Sequence, residues 1–451
     1  MTRAMEGVKR RLRDMHAARF GDAQGGLRAG GEGAGAHAAP FVFASAPGRV
    51  ELAGNHTDHQ GGCALAAAID RRAYGLAAPN GTDEVRVAME GFGEASVHLS
   101  DLEARADERG ASRSLVRGMA AACVRSGGRL RGFDLAVCSD VPVGCGLSSS
   151  AAFEMLLGAA MHALCESADA ATDGPGTGGA EGARPCGPQP APLDPMALAL
   201  EGAWAERNYF GKPCGLQDQL ASACGGIIAL DFSGDEPQAR PVAFDWEACG
   251  HALCLIDCRC DHGRYIDEYA AVPADMRDVA RWFGCARLED VPYRAFLDRF
   301  ADAREALGDR AVLRALHYFE ETRRAQAQLR ALESGKFGEF LKLVRASGAS
   351  SAQFLQNVSP RGDGSGACQP AMVVLALCAH LLDGDLSGGD GAQRLGAYRI
   401  HGGGFGGSVL AIVDDREADA FMASMDALLG YDACKAAAVS PLGVHVERMA
   451  R

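Results

Sequence analysis

The densest group of hydrogen-bonding side chains in this 451-residue chain lies between residues 48 and 60. Arg49, Asn55, His56 and Asp58 offer donors and acceptors within a stretch that is bounded by glycines. A polyhydroxylated ligand needs such a set, because each hydroxyl loses water on binding and must find a new partner. A hairpin loop with solvated polar side chains is an equal alternative from composition alone. We expect the Pro-Gly pair at the start of the segment to end a strand, which makes the segment a loop lining a cleft.

A second chemically capable segment, DVPVGCGLSSSAAFE, occupies residues 140–154. It follows a predicted strand and precedes a stretch with helical apolar spacing. Its glycines allow the backbone to approach a ligand, and free N–H groups at the start of a helix favour an anion. The segment therefore has the features of a phosphate-binding loop, although it lacks the lysine of a P-loop. The alternative is that its three consecutive serines only cap the helix.

A third segment, RIHGGGFGGS, lies near the end of the chain at residues 399–408. It contains five glycines in the six positions 402–407. A tight structural turn is one interpretation. Phe405 within the glycines favours a shaped loop over a flexible linker.

Strands and helices are mixed along the chain, which indicates the α+β class. Strand-like segments occupy residues 41–44, 85–89, 133–137, 227–230, 251–256, 398–401 and 409–413. Helical apolar spacing occurs in residues 115–124, 151–164, 196–204, 279–283, 312–332 and 371–382. The first residues predict a short charged helix. We expect two domains that meet near residues 230–250, with disordered segments at residues 26–39 and 167–192.

Composition excludes several functional classes. The net charge of −13 has the wrong sign for a general binder of nucleic acid or anionic membranes. The longest apolar run, residues 371–379, is far shorter than the roughly 18 residues that span a bilayer. No secretory signal is recognisable, so we expect a cytoplasmic protein that binds neither nucleic acid nor membranes. The 58 glycines are nearly twice the usual share of about 7% and need an explanation.

The 16 cysteines are spread through the chain without a C-x-x-C pair, and most lie in apolar stretches. We expect reduced, buried thiols. Cys254, Cys258, Cys260 and His262 form the tightest group. Their spacing matches no common zinc pattern, so a metal site there is the minor alternative.

Four ordered motifs resemble those of the galactokinase family of GHMP small-molecule kinases. The signature Gly-Arg-x-Asn-hydrophobic-x-Gly-Glu-His-x-Asp-Tyr is matched by Gly48, Arg49, Gly54, His56 and Asp58. Three further family motifs are present: Pro-x-Gly-x-Gly-Leu-Ser-Ser-Ser-Ala-Ala at residues 142–152, a Glu-x-x-Phe-x-Gly-x-x-Cys-Gly-x-x-Asp-Gln-like stretch at residues 205–219, and Gly-x-Gly-Phe-Gly-Gly at residues 402–407.

The resemblance implies a two-domain GHMP kinase fold with the active site in the cleft between the domains. After an N-terminal helix and Gly/Ala-rich segment at 1–40, residues 41–245 would form a domain like ribosomal protein S5 domain 2, with the insert at 167–192. Residues 246–451 would form a ferredoxin-like GHMP C-terminal domain. The implied activity is transfer of the γ-phosphate of ATP to the C1 hydroxyl of galactose, with Mg²⁺, by a monomer.

The resemblance also implies roles for individual residues. Asp218 corresponds to the catalytic aspartate beside the C1 hydroxyl, and Arg49 to its neighbouring arginine. Ser150 and Glu206 correspond to the magnesium ligands. The positions that correspond to sugar contacts are Asn55, His56, Asp58, Gly215 and Tyr269. The ATP loop corresponds to Pro142, Gly144, Gly146, Leu147, Ser148, Ser149, Ser150 and Ala151, and the C-terminal glycine loop to Gly402, Gly403, Gly404, Phe405, Gly406 and Gly407.

An aspartate next to an arginine has a depressed pKa, so we expect Asp218 to orient its hydroxyl as much as deprotonate it. Three positions depart from the signature, since Glu51, Asn55 and His59 stand where it has Asn, Glu and Tyr. The Glu at the position of Asn55 helps hold the C6 hydroxyl in galactokinases, so another sugar such as N-acetylgalactosamine is an alternative substrate. A non-catalytic sensor of galactose and ATP is the alternative from a different class.

Overall fold

The computed structural model describes residues 2–21, 40–165, 193–212, 214–260, 265–360, 368–383 and 396–449. Within these residues the chain forms two β-sheets, each with helices packed against it. The first sheet contains β1 (Phe41–Ala53), β2 (Cys63–Pro79), β3 (Glu84–Met89), β4 (Gly93–His98), β5 (Phe133–Ser139), β6 (Ile227–Asp231), β7 (Gln238–Pro241) and β12 (His445–Met449). The second contains β8 (His251–Asp257), β9 (Gly396–Ile400), β10 (Ser408–Asp414) and β11 (Cys434–Ala437).

The main path of the first sheet runs β12-β1-β2-β5-β3-β4, and β6 and β7 continue from β2. Its pairings are antiparallel except for β3 with β5. The second sheet is antiparallel in the order β11-β8-β10-β9. Every strand that the sequence predicts is present, so the mixed character inferred from periodicity is confirmed.

The helices cover both sheets and include every helical segment predicted from apolar spacing. They are α1 (Thr2–Phe20), α2 (Ser112–Arg125), α3 (Ser149–Leu164), α4 (Pro195–Ala205), α5 (Gln217–Cys224), α6 (Ile266–Trp282), α7 (Tyr293–Asp298), α8 (Phe300–Leu307), α9 (Asp309–Glu333), α10 (Phe337–Ser350), α11 (Pro370–Leu382) and α12 (Ala418–Leu429). The charged N-terminal helix is α1, and it packs Leu12 against Phe43 and Leu76 on one face of the first sheet. The opposite face is covered by α3, so β1 and β2 are buried on both sides.

The expectation that Pro47 and Gly48 end the first strand is wrong. β1 continues through them to Ala53, with a shift in its pairing to β2 between Pro47 and Arg49. Such an irregularity tolerates a proline, because the strand there lacks regular ladder bonds. A Cβ at Gly48 would lie 2.9 Å from the carbonyl oxygen of Leu147, so glycine allows the strand to touch the next motif. Arg49 is therefore carried by a rigid strand and not by a loop.

The longest strand, β2, is absent from the strands predicted by sequence. Seven of its 17 residues are alanine, which has low β-propensity, and no period-2 alternation marks it. It forms a strand because β1, β5 and β6 pair with it and both of its faces are buried. Tertiary packing here overrides local preference.

The second sheet has a hydrophobic core of its own, but Leu253, Leu255, Leu410 and Ile412 on β8 and β10 belong to the core of the first sheet. Strands β8 and β10 contribute one face, including Ile256 and Val409, to a core with α6, α9 and α11. Residues of α9 and α10 also pack into the core of the first sheet. The last strand, β12, pairs with β1 although it follows the second sheet in sequence. We retain residues 41–245 and 246–451 as the proposed domains and add that the chain returns to the first sheet at its end.

Some expectations concern residues outside the described part. The segments 26–39 and 167–192 lie outside the described residues, and so does His262 of the possible cysteine metal site. All fifteen cysteines of the described residues are free, as expected, but only seven of them are buried. No cluster of three or more His, Cys, Asp or Glu side chains suited to a metal ion occurs in this part of the chain. None of the described helices is both long enough and apolar enough to cross a membrane.

Candidate active site

Asp218 lies at the centre of the site, in the first turn of α5. Its Oδ1 accepts a hydrogen bond from Arg49 Nε at 2.8 Å, and Arg49 Nη2 lies 2.7 Å from the same oxygen. Its Oδ2 accepts a hydrogen bond from Ser148 Oγ at 2.6 Å. The structure thus brings together side chains from three of the four motifs, those at residues 48–59, 142–152 and 205–219.

The charge of Asp218 is stabilised by these neighbours. Burial by itself would raise the pKa of Asp218, but Arg49, Lys212 and the Ser148 hydroxyl outweigh it and lower the pKa below its usual value. The carboxylate is therefore ionised throughout the neutral range. The sequence-based prediction of a depressed pKa is confirmed.

Arg49 also fixes the glycine-rich segment before α3. Its Nη1 donates to the carbonyl of Gly146 at 2.6 Å, and its backbone N–H donates to the carbonyl of Leu147 at 3.2 Å. Only 5% of its side chain is exposed. Since charge-assisted hydrogen bonds are strong, Arg49 on strand β1 holds the glycine-rich loop before α3 in a defined position.

The loop itself has the geometry of an anion cradle at a helix start. Gly144 and Gly146 have positive φ angles of 79° and 72°, and a Cβ at Gly144 would meet no atom within 4 Å. Ser148 also has a positive φ of 57°, which costs a non-glycine residue about 1–3 kcal/mol. Its bond to Asp218 stabilises that conformation. The remaining predicted loop residues lie alongside, with Leu147 and Ala151 buried and Pro142, Ser149 and Ser150 more accessible.

Ser150 and Glu206 are in direct contact beside the glycine-rich loop. Ser150 Oγ donates to Glu206 Oε1 at 3.1 Å, and Lys212 Nζ lies 3.1 Å from the same oxygen. Gln219 donates at 3.0 Å to both Glu206 Oε2 and Glu154 Oε2. Glu154 Oε1 is buried without a hydrogen-bond partner, and burial together with Glu206 raises the pKa of Glu154. This set of hydroxyl and carboxylate oxygens matches the donors that Mg²⁺ prefers.

Asp58 and Gly215 are in direct contact. A Cβ at Gly215 would lie only 1.4 Å from Asp58 Oδ2, so the carboxylate occupies the space that any other residue would need. Asp58 Oδ1 accepts a hydrogen bond from the backbone of His59 at 2.8 Å. Burial and the charge of Asp218 raise the pKa of Asp58 to about 6.

Changing Gly215 to alanine is expected to raise the KM for the sugar by about ten- to a hundredfold, with little loss of stability. The added methyl group must displace Asp58, and a hydrogen bond to a charged group contributes about 1.5–3 kcal/mol. Steady-state kinetics checks this. Gly338→Ala is the matched control, because a Cβ there meets nothing within 4 Å. An unchanged KM in Gly215→Ala would contradict the contact's importance.

His56 and Tyr269 meet at the junction with the C-terminal glycine loop. Their ring centroids are 5.3 Å apart, and His56 Nε2 lies 3.0 Å from the carbonyl oxygen of Gly403. Burial lowers the pKa of His56 to about 4, so its ring is neutral at pH 7 and donates to that carbonyl. A Cβ at Gly403 would lie 2.4 Å from Tyr269. Tyr269 is thereby placed beside the signature, as the looser sequence match predicts.

Asn55 is buried in a closed polar network. Its Nδ2 donates to Glu51 Oε1 at 2.9 Å and to the carbonyl of Gly402 at 2.6 Å. Its Oδ1 accepts from Ser351 Oγ at 3.2 Å and from Asn357 Nδ2 at 2.9 Å. Protein groups thus use both donors and both acceptor positions of its amide.

Glu51 is the charged member of this network. Its Oε1 lies 2.5 Å from Arg399 Nη2, and Gln217 Nε2 donates to Oε2 at 3.3 Å. Arg399 is fully buried on β9, immediately before the glycine loop. Burial raises the pKa of Glu51, while Arg399 opposes that rise. The ion pair therefore connects β1 to the second sheet.

Comparison with known proteins identifies the chain's relatives. Residues 34–79 match the galactokinase galactose-binding signature, and residues 114–175 match the GHMP kinases N terminal domain. A galactokinase of Streptomyces coelicolor is 32% identical over 391 residues, covering 83% of this chain and 85% of the relative. One from Mycobacterium bovis is 32% identical over 384 residues, covering 84% and 91%. The chain belongs to the galactokinase family.

Solved structures agree with this assignment at the level of fold. A Lactococcus lactis galactokinase complexed with galactose superposes with a TM-score of 0.73 at 22% identity, covering 98% of this chain and 100% of that one. The mevalonate kinase of Methanococcus jannaschii gives a TM-score of 0.53 at 13% identity, covering 90% and 96%. The predicted two-domain α+β GHMP kinase fold is confirmed. The chain is an ATP-dependent kinase of this superfamily.

The two departures from the galactokinase signature at residues 51 and 55 prove to be one reciprocal exchange. The signature has Asn and then Glu, whereas this chain has Glu51 and then Asn55, and the two side chains hydrogen-bond to each other. The amide–carboxylate pair is kept, but the charge moves to the position that faces Arg399. Asn55 consequently binds protein groups, and we no longer expect its amide to reach a sugar hydroxyl.

The tight-turn interpretation of the C-terminal glycine loop agrees with its packing. Positions beside Gly404 and Gly406 are filled by Asn357 and Cys260, where added Cβ atoms would lie 2.3 Å and 2.9 Å from the nearest atoms. Buried Phe405 has a positive φ of 58° and its N–H donates to the carbonyl of Asn357. The loop is a tightly packed turn, with Gly402 near the Arg49 guanidinium.

Sequence reasoning missed several residues of the site. Lys212, Gln219 and Glu154 contact Glu206 or one another, and Arg399 pairs with Glu51. The position of Gln219 directly after Asp218 could have indicated the first group. For Arg399 the available signal was the acidic residue at position 51, which requires a buried cationic partner.

Proposed function

We propose that this chain transfers the γ-phosphoryl group of ATP to the C1 hydroxyl of α-D-galactose, giving galactose 1-phosphate and ADP. The observation that carries the proposal is the arrangement of Asp218, held between the Arg49 guanidinium and the Ser148 hydroxyl. It supplies a carboxylate for the sugar hydroxyl at the edge of an anion-binding loop. Galactose is proposed as the acceptor because the relatives of similar length are galactokinases.

Asp218 acts mainly by position and charge in this proposal. Because its pKa is depressed, it is a weak base at neutral pH. A loose phosphoryl-transfer transition state needs little early proton removal, so orientation of the hydroxyl is sufficient until late in the reaction. Arg49 holds the carboxylate in place and adds positive charge near the transferred group.

The glycine-rich loop at residues 142–151 would bind the ATP phosphates through its backbone N–H groups and the start of α3. Ser150 and Glu206 would hold Mg²⁺, which neutralises phosphate charge when it is bound. Lys212 keeps Glu206 in place through its ammonium group, which donates to Glu206 Oε1. These residues account for anion binding by a chain whose net charge is −13.

Sugar recognition is assigned to Asp58, Gly215, His56 and Tyr269. The Asp58 carboxylate lies against Gly215 and close enough to Asp218 for its pKa to respond. His56 and Tyr269 form the adjoining wall. Asn55 donates a hydrogen bond to the carbonyl of Gly402 and so stabilises the glycine loop next to His56. It is not a sugar contact in the proposal.

A coupled assay of ADP release tests the proposal directly. We expect galactose to give the highest kcat/KM among galactose, N-acetylgalactosamine, glucose, arabinose and mevalonate. Turnover of another compound without turnover of galactose would show that the other compound, and not galactose, is the substrate. Binding of galactose and ATP with no ADP release would identify a sensor instead of an enzyme.

The pH profile of kcat/KM for galactose is expected to rise through pH 6 and then level off. Asp58 has a pKa of about 6, so below that pH it is protonated and loses its strength as an acceptor for sugar hydroxyls. Since kcat/KM reports ionisations of the free enzyme, its profile detects this group. Asp58→Asn should abolish the step, and the same step in that variant would assign it to another residue.

A further inference from the structure

The C-terminal ends of α2 and α3 bring two thiols together on the side of the first core opposite the phosphate loop. Cys123 Sγ and Cys165 Sγ are 3.5 Å apart, at van der Waals and hydrogen-bonding distance. Cys123 is fully buried in α2, whereas Cys165 directly follows α3 and is partly exposed. The pair therefore has one sulfur that a small reagent can reach and one sulfur behind it.

Gly128 provides the space in which the two sulfur atoms lie. A Cβ at this position would be 2.8 Å from Cys123 Sγ and 3.0 Å from Cys165 Sγ. The Gly128 N–H donates to the carbonyl of Cys123 at 2.9 Å, which closes the turn over the pair. Any other residue here would push the sulfurs apart.

A polar chain of three side chains adjoins Cys165. His162, one turn earlier on α3, has its Nε2 2.8 Å from Glu201 Oε2, and Ser126 Oγ donates to Glu201 Oε1 at 2.5 Å. The hydrogen bond to Glu201 raises the pKa of His162 and so favours its cationic form. The hydrogen bond from Cys123 and the neighbouring His162 lower the pKa of the Cys165 thiol. Cys165 is thus the more reactive sulfur, since the thiolate is the nucleophile.

We propose that Cys123 and Cys165 form a reversible dithiol–disulfide site that reacts with low-molecular-weight disulfides such as glutathione disulfide. The Cys165 thiolate attacks one sulfur of the small disulfide, forms a mixed disulfide and releases one small thiolate. Cys123 loses its proton to that thiolate, and its sulfur attacks Cys165 Sγ, releasing the second small thiolate, which takes from water the proton that Cys165 had lost. The two protein thiols are oxidised to one disulfide, and one small disulfide is reduced to two thiols.

The other described thiols lack this combination of features. Cys254 and Cys434 also interact, but both are buried and a small disulfide cannot reach them. Cys249 is partly exposed like Cys165, but burial raises its pKa to about 11. It provides a matched control, because it has similar access without the neighbouring thiol and imidazole.

The first experiment compares alkylation rates of the full-length reduced protein by iodoacetamide at pH 7, followed by peptide mass spectrometry. The pKa of the Cys165 thiol is lowered, whereas burial raises that of Cys249 to about 11, so Cys165 holds more thiolate at pH 7. The lower nucleophilicity of the more acidic thiol offsets only part of this difference. We expect Cys165 to react about tenfold faster than Cys249, and equal rates would argue against an activated thiol.

The second experiment incubates the protein with glutathione disulfide and maps its peptides without reduction. We expect a Cys123–Cys165 cross-link that dithiothreitol removes, in the wild type and in Cys249→Ser but not in Cys165→Ser. The wild-type map is decisive even if Cys165→Ser does not fold. Pairing of Cys165 with Cys186, or a stable mixed disulfide at Cys165 alone, would overturn the proposal.

Discussion

Replacing Asp218 with asparagine is expected to lower kcat by about 10²–10⁴, the range for loss of a positioned proton acceptor. The amide is isosteric with the carboxylate and can still accept a hydrogen bond from Ser148, so the local geometry is retained. What is lost is the negative charge that faces Arg49 and activates the sugar hydroxyl. Galactose and ATP should bind with little change in affinity, because other residues hold them in the proposal.

Steady-state kinetics and calorimetric titration with galactose separate the two expectations for Asp218→Asn. Asp245→Asn is the control, since Asp245 is exposed and accepts only a backbone hydrogen bond from Ala248. Its kcat should match that of the wild type. A kcat for Asp218→Asn close to the wild-type value would refute the catalytic role, and loss of sugar binding would assign Asp218 to recognition.

Changing Arg399 to methionine is expected to lower the free energy of unfolding by about 3–5 kcal/mol, the typical cost of removing one partner from a buried ion pair. The side chain of Arg399 is inaccessible and that of Glu51 is 6% exposed, so the remaining carboxylate would be left in a low-dielectric environment. Asn55 and Gln217 still donate to Glu51, but neither supplies a positive charge. Urea-induced unfolding at pH 8 measures the loss.

Two comparisons test whether the unpaired charge of Glu51 causes the loss of stability in Arg399→Met. Arg416→Met breaks an exposed pair with Asp414 and should cost no more than about 1 kcal/mol. Adding Glu51→Gln to Arg399→Met should recover part of the lost stability, because the buried charge disappears. Equal stability of the single and double variants would show that packing of Arg399 matters more than its charge.

The effect of Arg399→Met should also depend on pH in a definite direction. The pKa of Glu51 is already raised by burial, and loss of Arg399 removes an opposing influence. A carboxyl group whose pKa is higher in the folded than in the unfolded state loses stability as pH rises through that interval. The free energy of unfolding that Arg399→Met loses relative to the wild type should therefore be smaller at pH 5 than at pH 8.

Contiguous motifs allowed the sequence to predict the phosphate loop, Asp218 and most of the strands and helices. In the loop, glycines with positive φ and serines at a helix start act through the local backbone, so their order in the chain already defines the structure. The family signature similarly placed Arg49 and Asp58 in one segment. The depressed pKa of Asp218 could be predicted because its partner, Arg49, belongs to a recognisable motif.

Only the tertiary structure decided which groups surround these motifs. Glu51 and Arg399 are 348 positions apart, and β2 is a strand because its neighbours bury both of its faces. The sequence placed Asn55 at the sugar, whereas packing against Gly402 and Asn357 directs its amide into the protein. Such contacts depend on how distant elements pack together, and their energy comes from burial and charge pairing, which no local pattern encodes.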